Sequence, residues 1–200
     1  MIVAGPWLLS VLGIFTINRV AASALSESSQ LFTASIGYSF AGSLMLFGGF
    51  HYVYTRHVAD LIYEKRFTDS CSVLVVCLVA TAVVSASIAL FATAPMDLSV
   101  VSRPGLFKAA AAGVFVTIHL IWVLMIFASL LKRYLLILVG MTVSTLRVVW
   151  LGGCFRVGRA MLGFARGQLL IALTLMLLIW REYPPHADAI KDILRYFGRQ

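Results

Sequence analysis

Apolar residues in this chain are grouped into long runs instead of alternating with polar ones. A helix rises about 1.5 Å per residue, so about 20 apolar residues span the roughly 30 Å of bilayer hydrocarbon. The runs are too long and too uniformly apolar for the strands of an outer-membrane barrel. They predict an all-α membrane protein with six transmembrane helices. The six runs cover residues 2–25, 31–54, 71–95, 106–131, 134–155 and 157–180.

The polar end of the chain predicts a second, smaller segment. Residues 181–185 read Arg-Glu-Tyr-Pro-Pro, and two consecutive prolines end the sixth helix. Residues 187–197 then place apolar side chains on one side and charged side chains on the other, as in a short amphipathic helix at a membrane surface. We therefore predict a transmembrane lobe over 1–180 and a cytoplasmic connection over 181–200.

Composition and charge support this reading and set an orientation. Hydrophobic residues make up 61% of the chain and charged residues 12%, whereas a soluble domain carries about 25% charge. The net charge of +8 is not arranged as a basic stripe with interleaved aromatic residues, so nucleic acid is not an expected partner. Basic residues concentrate after the second, fourth and sixth runs, and the positive-inside rule then places both termini in the cytoplasm.

Four arginines line the predicted fifth and sixth helices and could form a basic wall. Arg147 lies in the fifth apolar run, and Arg159 and Arg166 lie in the sixth. Arg156 separates the two runs. An arginine at mid-bilayer costs about 2.5–3.5 kcal/mol on insertion scales, so these side chains should face the bundle interior or a wet cavity. There they could hydrogen-bond a polar substrate such as a glycan. The alternative is that they reach an interface or pair with carboxylates, although no apolar run contains an acidic residue.

Three further features are candidates for chemistry or packing. His119 is either a proton relay or a hydrogen-bonding partner of a neighbouring helix, whereas His51 and His57 are expected at the membrane interface. Gly163 and Gly167 form a G-x-x-x-G pair of the kind that lets helices approach closely in lipid. After the second run the helical pattern continues to residue 66, with its charged residues spaced for a favourable i,i+4 pair, Arg56 with Asp60.

The sequence lacks the motifs of the common enzymatic sites. It has no phosphate-binding Gly-x-x-x-x-Gly-Lys-Ser/Thr loop, no His-Glu-x-x-His, no Gly-x-Ser-x-Gly and no paired carboxylates in a predicted cleft. Its three cysteines have no metal or redox spacing. We therefore expect neither an enzyme nor a metal or cofactor site.

Several stretches resemble the PelG family of exopolysaccharide transporters. The most specific is Thr-Arg-His-Val-Ala-Asp-Leu-Ile-Tyr-Glu-Lys-Arg at 55–66. Gly-Pro-Trp-Leu-Leu-Ser at 5–10 and Leu-Gly-Phe-Ala-Arg-Gly-Gln at 162–168 occur in the matching order. Arg-Glu-Tyr-Pro at 181–184 and Leu-Arg-Tyr-Phe at 194–197 extend the similarity over nearly the whole chain.

The resemblance implies one lobe of a flippase or multidrug-exporter-like fold in the bacterial inner membrane. Members have about twice this number of helices, so the chain corresponds to their N-terminal six-helix lobe and needs a second lobe or other subunits of a synthesis complex. The implied function is transport of Pel-like polysaccharide by alternating access. Arg147, Arg159 and Arg166 would line the glycan path, and Arg56 with Asp60 would form a gate ion pair. The alternative is a non-transporting membrane protein, either an assembly scaffold or a truncated remnant.

Overall fold

The computed structural model describes residues 29–96, 103–130 and 157–182, together with two isolated helical positions, 15 and 19. These ranges contain four helices and no strand. All four are long and apolar enough to cross a membrane. The helices are α1 (Ser29–Tyr63), α2 (Phe67–Thr93), α3 (Pro104–Leu130) and α4 (Val157–Glu182).

The four helices coincide with the second, third, fourth and sixth apolar runs, which confirms an all-helical fold for the described ranges. The first and fifth predicted helices lie outside the described residues, except for the positions 15 and 19. The predicted amphipathic helix over 187–197 also lies outside them. Six helices and a flippase-like lobe therefore stay predictions.

Helix α1 has 35 residues and is longer than the apolar run that predicts it. At about 1.5 Å per residue it measures about 52 Å, well beyond the roughly 30 Å of hydrocarbon. The continuation expected from 55 to 66 is therefore present, but the helix ends at Tyr63. The amide of Lys65 donates to the carbonyl of Ile62 at 3.0 Å, and that of Arg66 to Leu61 at 2.9 Å. This pair of bonds is a Schellman motif, which ends the helix by satisfying its last carbonyls.

Helix α3 is the centre of the bundle. In its most apolar 18-residue window 56% of the residues are buried, against 28% in α1 and α2 and 39% in α4. The buried residues of α3 lie on every side of it, while those of α2 lie on one stripe. The other three helices thus pack around α3, each through a single face.

Contacts between identified turns of neighbouring helices show in which direction each helix runs. Gly113 of α3 faces the Cβ of Ala165 on α4, where an added side-chain carbon would lie 3.6 Å away. Farther along, residues 121–128 of α3 pack against residues 171–179 of α4, so these helices run parallel. The Lys108 Nζ donates to the carbonyl of Ala94 at 3.0 Å, which joins the start of α3 to the end of α2 and makes that pair antiparallel.

The apolar core is divided into two clusters along the bundle. The first joins one end of α1, around Phe32 and Ile36, to the early turns of α3 and α4. The second joins the other end of α1, around Tyr54 and Val58, to α2 and the later turns of α3 and α4. Ten polar residues are buried in the described ranges, and each of the four helices contributes at least one. Six of them, here called the polar layer, are Ser43, His51, Thr81, Ser85, His119 and Gln168.

Candidate functional site

The histidine of α3 is the most completely enclosed titratable residue of the polar layer. His119 has no exposed surface, and its Nδ1 lies 2.7 Å from the carbonyl oxygen of Phe115, one turn earlier. A carbonyl can only accept, so in the neutral ring Nδ1 carries the hydrogen and Nε2 carries the lone pair. Among the described residues Nε2 has no hydrogen-bond partner, and the bond that the ring makes is to the backbone of its own helix. The hydrogen bond expected to a neighbouring helix is not formed to any of these residues.

Aromatic rings enclose this imidazole. The ring of Phe47 on α1 approaches it edge-on with a centroid separation of 4.1 Å, and the ring of Phe115 lies at 4.4 Å. Two phenyl rings, one from each helix, thus contact the imidazole. This packing holds α1 against α3 at the height of His119.

The second histidine of the layer is His51, which is buried against protein; its expected position at the membrane interface stays a prediction. His51 is 9% exposed and its Nε2 has no hydrogen-bond partner. It lies one turn after Phe47, whose ring centroid is 6.4 Å from that of His51 and 4.1 Å from that of His119. The register of α1 explains why His51 is buried. The side chains that face the core are spaced by four, three and four residues: Phe47, His51, Tyr54 and Val58. His57, one step off that stripe, is exposed.

The hydroxyl groups of the layer bond mainly within their own helices. Ser43 donates to the carbonyl of Phe40 at 2.8 Å, and Ser85 donates to that of Thr81 at 2.6 Å. Such bonds satisfy a hydroxyl without linking two helices. The Oγ1 of Thr81 itself has no partner. Among the described residues, the layer thus presents three buried, unpartnered polar atoms on three helices. The sequence suggested a chemical role for only one of these residues, His119.

Arg166 is exposed on α4, on the side opposite the buried stripe. Its neighbours on that exposed side are Leu169, Leu170 and Leu173. Arg166 lies about one turn inside the apolar segment Leu162–Arg181. None of the described helices covers its guanidinium, so whether it meets a second lobe, a glycan or the headgroups depends on what lies against this face.

The remaining proposed path residues are not described at the side-chain level. Arg147 lies outside the described residues. Arg159 belongs to α4 by its backbone, but its side chain is outside them. Of the predicted G-x-x-x-G pair, Gly163 has no atom within 4 Å of an added Cβ. Gly167 is buried, and the close approach described between α3 and α4 involves Gly113.

The predicted ion pair between Arg56 and Asp60 is formed. The Arg56 Nε lies 3.3 Å from a carboxylate oxygen of Asp60, and the side chains are 77% and 56% exposed. Because both belong to α1 and face solvent, the pair contributes only a few tenths of a kcal/mol to that helix. It joins no two elements in this conformation.

A denser charged group, missed by the sequence analysis, lies at the turn between α1 and α2. Arg66 Nε donates to Asp69 at 2.8 Å, and its NH1 donates to Glu64 at 3.1 Å. The bond to Asp69, and then that to Glu64, raise the pKa of the Arg66 guanidinium above its ordinary value. Asp69 also lies in the first turn of α2, where a carboxylate complements the positive end of the helix. The charges Glu64, Arg66 and Asp69 therefore define the turn.

Among the residues that the structure describes, no group of three His, Cys, Asp or Glu side chains could hold a metal ion. Two cysteines are described, Cys71 and Cys77, and both are free. Cys71 is buried in the second apolar cluster, and Cys77 packs against it. These thiols therefore pack as small apolar groups.

Membrane-length helices, a buried polar layer and a charged turn define this chain as a polytopic helical membrane protein. Its class is narrowed by comparison with protein families. The family model of PelG, the exopolysaccharide exporter (EPS-E), matches residues 1–200, so the chain belongs to the PelG family. The resemblance seen in the sequence is thereby confirmed. Comparison with curated proteins and with solved structures found no match.

Proposed function

We propose that this chain is one six-helix lobe of a transporter that moves a Pel-like exopolysaccharide across the bacterial inner membrane. The observation that carries the proposal is family membership over the whole sequence, combined with four membrane-length helices in the described ranges. In this proposal both termini are cytoplasmic and the chain corresponds to the N-terminal lobe. Transport proceeds by alternating access, in which two bundles rock about a path between them.

The exposed face of α4 is the surface that we assign to this path. Arg166 is the one charged side chain on that face between residues 162 and 180, among described residues that are otherwise mostly leucine. A guanidinium carries several donors and no acceptor, which suits the hydroxyl and amide oxygens of a glycan. Contact with lipid would be unfavourable there, so a second lobe is expected to shelter it. Arg147 and Arg159 complete the proposed lining.

The parallel direction of α3 and α4 supports the six-helix count. The chain leaves α3 at one end of the bundle and enters α4 at the other. In this proposal the predicted fifth helix, 134–155, returns the chain across the bundle. With 22 residues at about 1.5 Å each, that helix would cover about 33 Å, which is enough for one crossing.

The Arg56–Asp60 pair is proposed as a gate element on the cytoplasmic side. Its two side chains are exposed and their mutual attraction is weak, so either can exchange its partner for an opposite charge on another element at little cost. Such an exchange would stabilise one of the two access states.

Replacement of Arg166 tests the export path. In cells whose polysaccharide secretion depends on this chain, we expect Arg166→Ala to lower secreted polymer by about tenfold to a hundredfold. That range corresponds to one lost hydrogen bond from a charged group, about 1.5–3 kcal/mol. The matched control is Arg181→Ala, which removes an exposed arginine at the other end of the same helix and should leave secretion unchanged.

Secreted polymer is compared at equal amounts of membrane-inserted protein, so that a loss of insertion is not counted as a loss of export. Normal secretion by Arg166→Ala would remove this residue from the mechanism. Crosslinking in membranes provides the second test, because the proposal requires a six-helix mate. Crosslinks to other subunits only, with no such mate, would favour the non-transporting scaffold.

A further inference from the structure

The two histidines of the polar layer form a group that the proposed glycan path does not use. His51 of α1 and His119 of α3 are both more than nine-tenths buried, and both Nε2 atoms lack a hydrogen-bond partner. Buried polar groups in proteins are nearly always hydrogen-bonded, so two such atoms on facing helices require an explanation. An ionisable residue inside a membrane bundle is by default a candidate functional group.

The tautomer of His119 defines what its free atom can do. Nδ1 donates to the Phe115 carbonyl, so Nε2 is an unoccupied base. The rings of Phe47 and Phe115, at 4.1 and 4.4 Å, fill the space against the imidazole. A sugar or a hydrated ion would have to displace these rings. A proton needs only the lone pair.

In the described part of the four helices, no carboxylate lies on a buried stripe beside the pair. On α1 the next titratable side chain of the buried stripe is Tyr54, and on α2 the titratable groups beside that tyrosine are Cys71 and Cys77. On α3 the group is His119 itself. On the described part of α4 the charged side chains, Arg166 and Arg181, are exposed and lie off the buried stripe. The two imidazoles are therefore the only described groups in the layer that gain charge on binding a proton.

We propose that His51 and His119 form a site that binds a single proton between α1 and α3. The proton comes from water, enters the lone pair of an Nε2, and returns to water when it is released. The second imidazole disfavours a second proton, because two like charges on facing helices repel strongly in a medium of low dielectric constant. A charge at this height also alters the contact of α1 with α3, which is made there by Phe47. Use of the proton to drive export rests on the function proposed above; its binding does not.

Nitrogen-15 NMR of the histidines in the whole chain, reconstituted in lipid nanodiscs, tests the site. The sample is titrated from about pH 8 to about pH 4, which includes the range where histidine ordinarily changes charge. We expect the Nε2 atoms of His51 and His119 to take up one proton between them, counted from the signals of these two residues alone. His51→Gln should shift the midpoint of His119, since it removes the neighbouring imidazole. His57→Gln, which removes the exposed histidine two turns from His51 on the same helix, should not.

The opposite results are equally clear. If Nε2 of His119 stays unprotonated over the whole range, or if both glutamine variants leave its midpoint unchanged, the shared site does not exist. Uptake of two protons by the pair would also overturn the proposal. Helix content, measured by circular dichroism, shows whether each variant is folded. If His51→Gln does not fold, His119→Gln is the second variant, and the readout is then the titration midpoint of His51. None of these readouts depends on export, so their failure is distinct from a failure of the proposed function.

Discussion

At the scale of single residues, one backbone position is energetically unusual. Lys65 has φ 61° and is the non-glycine residue with positive φ in the described ranges. It occupies the position after the helix end in the Schellman motif, which glycine normally takes because a Cβ is crowded in the left-handed region. The motif is needed because the chain must leave α1 and enter α2 within three residues. Lys65 therefore carries a local strain that the hydrogen bonds of the turn offset.

Replacement of this lysine should stabilise the protein. We expect Lys65→Gly to raise the free energy of unfolding by about 0.5–1 kcal/mol, since a left-handed L-residue costs about 1–2 kcal/mol and the freer unfolded state of glycine offsets part of the gain. The measurement is equilibrium unfolding in mixed detergent micelles. Lys65→Ala is the matched control, because it removes the same charge and keeps the Cβ. A gain of similar size in both variants would attribute the effect to charge.

At the scale of elements, the packing depends on where a small residue meets a neighbouring helix. Gly113 meets Ala165 across the α3–α4 contact, and Gly42 meets the ring of Phe115 across the α1–α3 contact, both with an added Cβ at 3.6 Å. At Gly163 an added Cβ would meet nothing within 4 Å. The G-x-x-x-G spacing in α4 thus identifies a helix with small residues, but the contact partner decides which glycine is structural.

A pair of leucine substitutions tests this assignment. We expect Gly113→Leu to destabilise the bundle by about 1–3 kcal/mol, the usual cost of forcing a larger side chain into packed space. Gly163→Leu adds the same side chain where space is open and should change stability little. Gly113→Ala, with a contact of ordinary van der Waals length, should also be tolerated. The free energy of unfolding is measured as for the Lys65 variants. If Gly113→Leu and Gly163→Leu lower it equally, the contact between α3 and α4 does not explain the loss.

At the scale of the whole molecule, three described helices run in one direction and α2 runs in the other. The turn that contains Lys65 and the segment that contains Met96 then lie at opposite ends of the bundle. Under the positive-inside rule, the basic residues around the first of these ends predict that it lies in the cytoplasm. The long, charged end of α1 would extend from the membrane on the same side.

Cysteine labelling tests this orientation. In a variant without the three native cysteines, we expect an impermeant maleimide to label Met96→Cys in intact cells. Lys65→Cys, an exposed position at the other end of α2, should react only after the membrane is permeabilised. Both positions lie outside the helices, so a lack of reaction is not caused by helix packing. Labelling of the two sites from the same side, or with the sides reversed, would contradict the topology.

The apolar runs and the family resemblance were readable in the sequence because both are local. Length and hydropathy alone specify that a segment must be helical in lipid, where every backbone amide needs a partner within the segment. The apolar runs predicted the bounds of α1 to α4 to within a few residues, with two exceptions. Helix α2 begins four residues before its run, and α1 extends nine residues beyond its run. Spacing also predicted the Arg56–Asp60 pair, because partners at i and i+4 on one helix meet whatever the rest of the chain does.

The placement of polar groups in the interior was decided by tertiary structure. The spacing of Phe47, His51 and Tyr54 places these residues on one face of α1. That spacing does not show whether the face contacts protein or lipid, because both are apolar. Only the position of α3 shows that His51 is buried and that His119 lies beside it. In a soluble protein, apolar residues face inward because water surrounds the fold, whereas lipid is as apolar as the interior of a membrane protein. The sequence alone therefore determined which segments are helices. The packing of those helices around α3 determined which polar residues are buried.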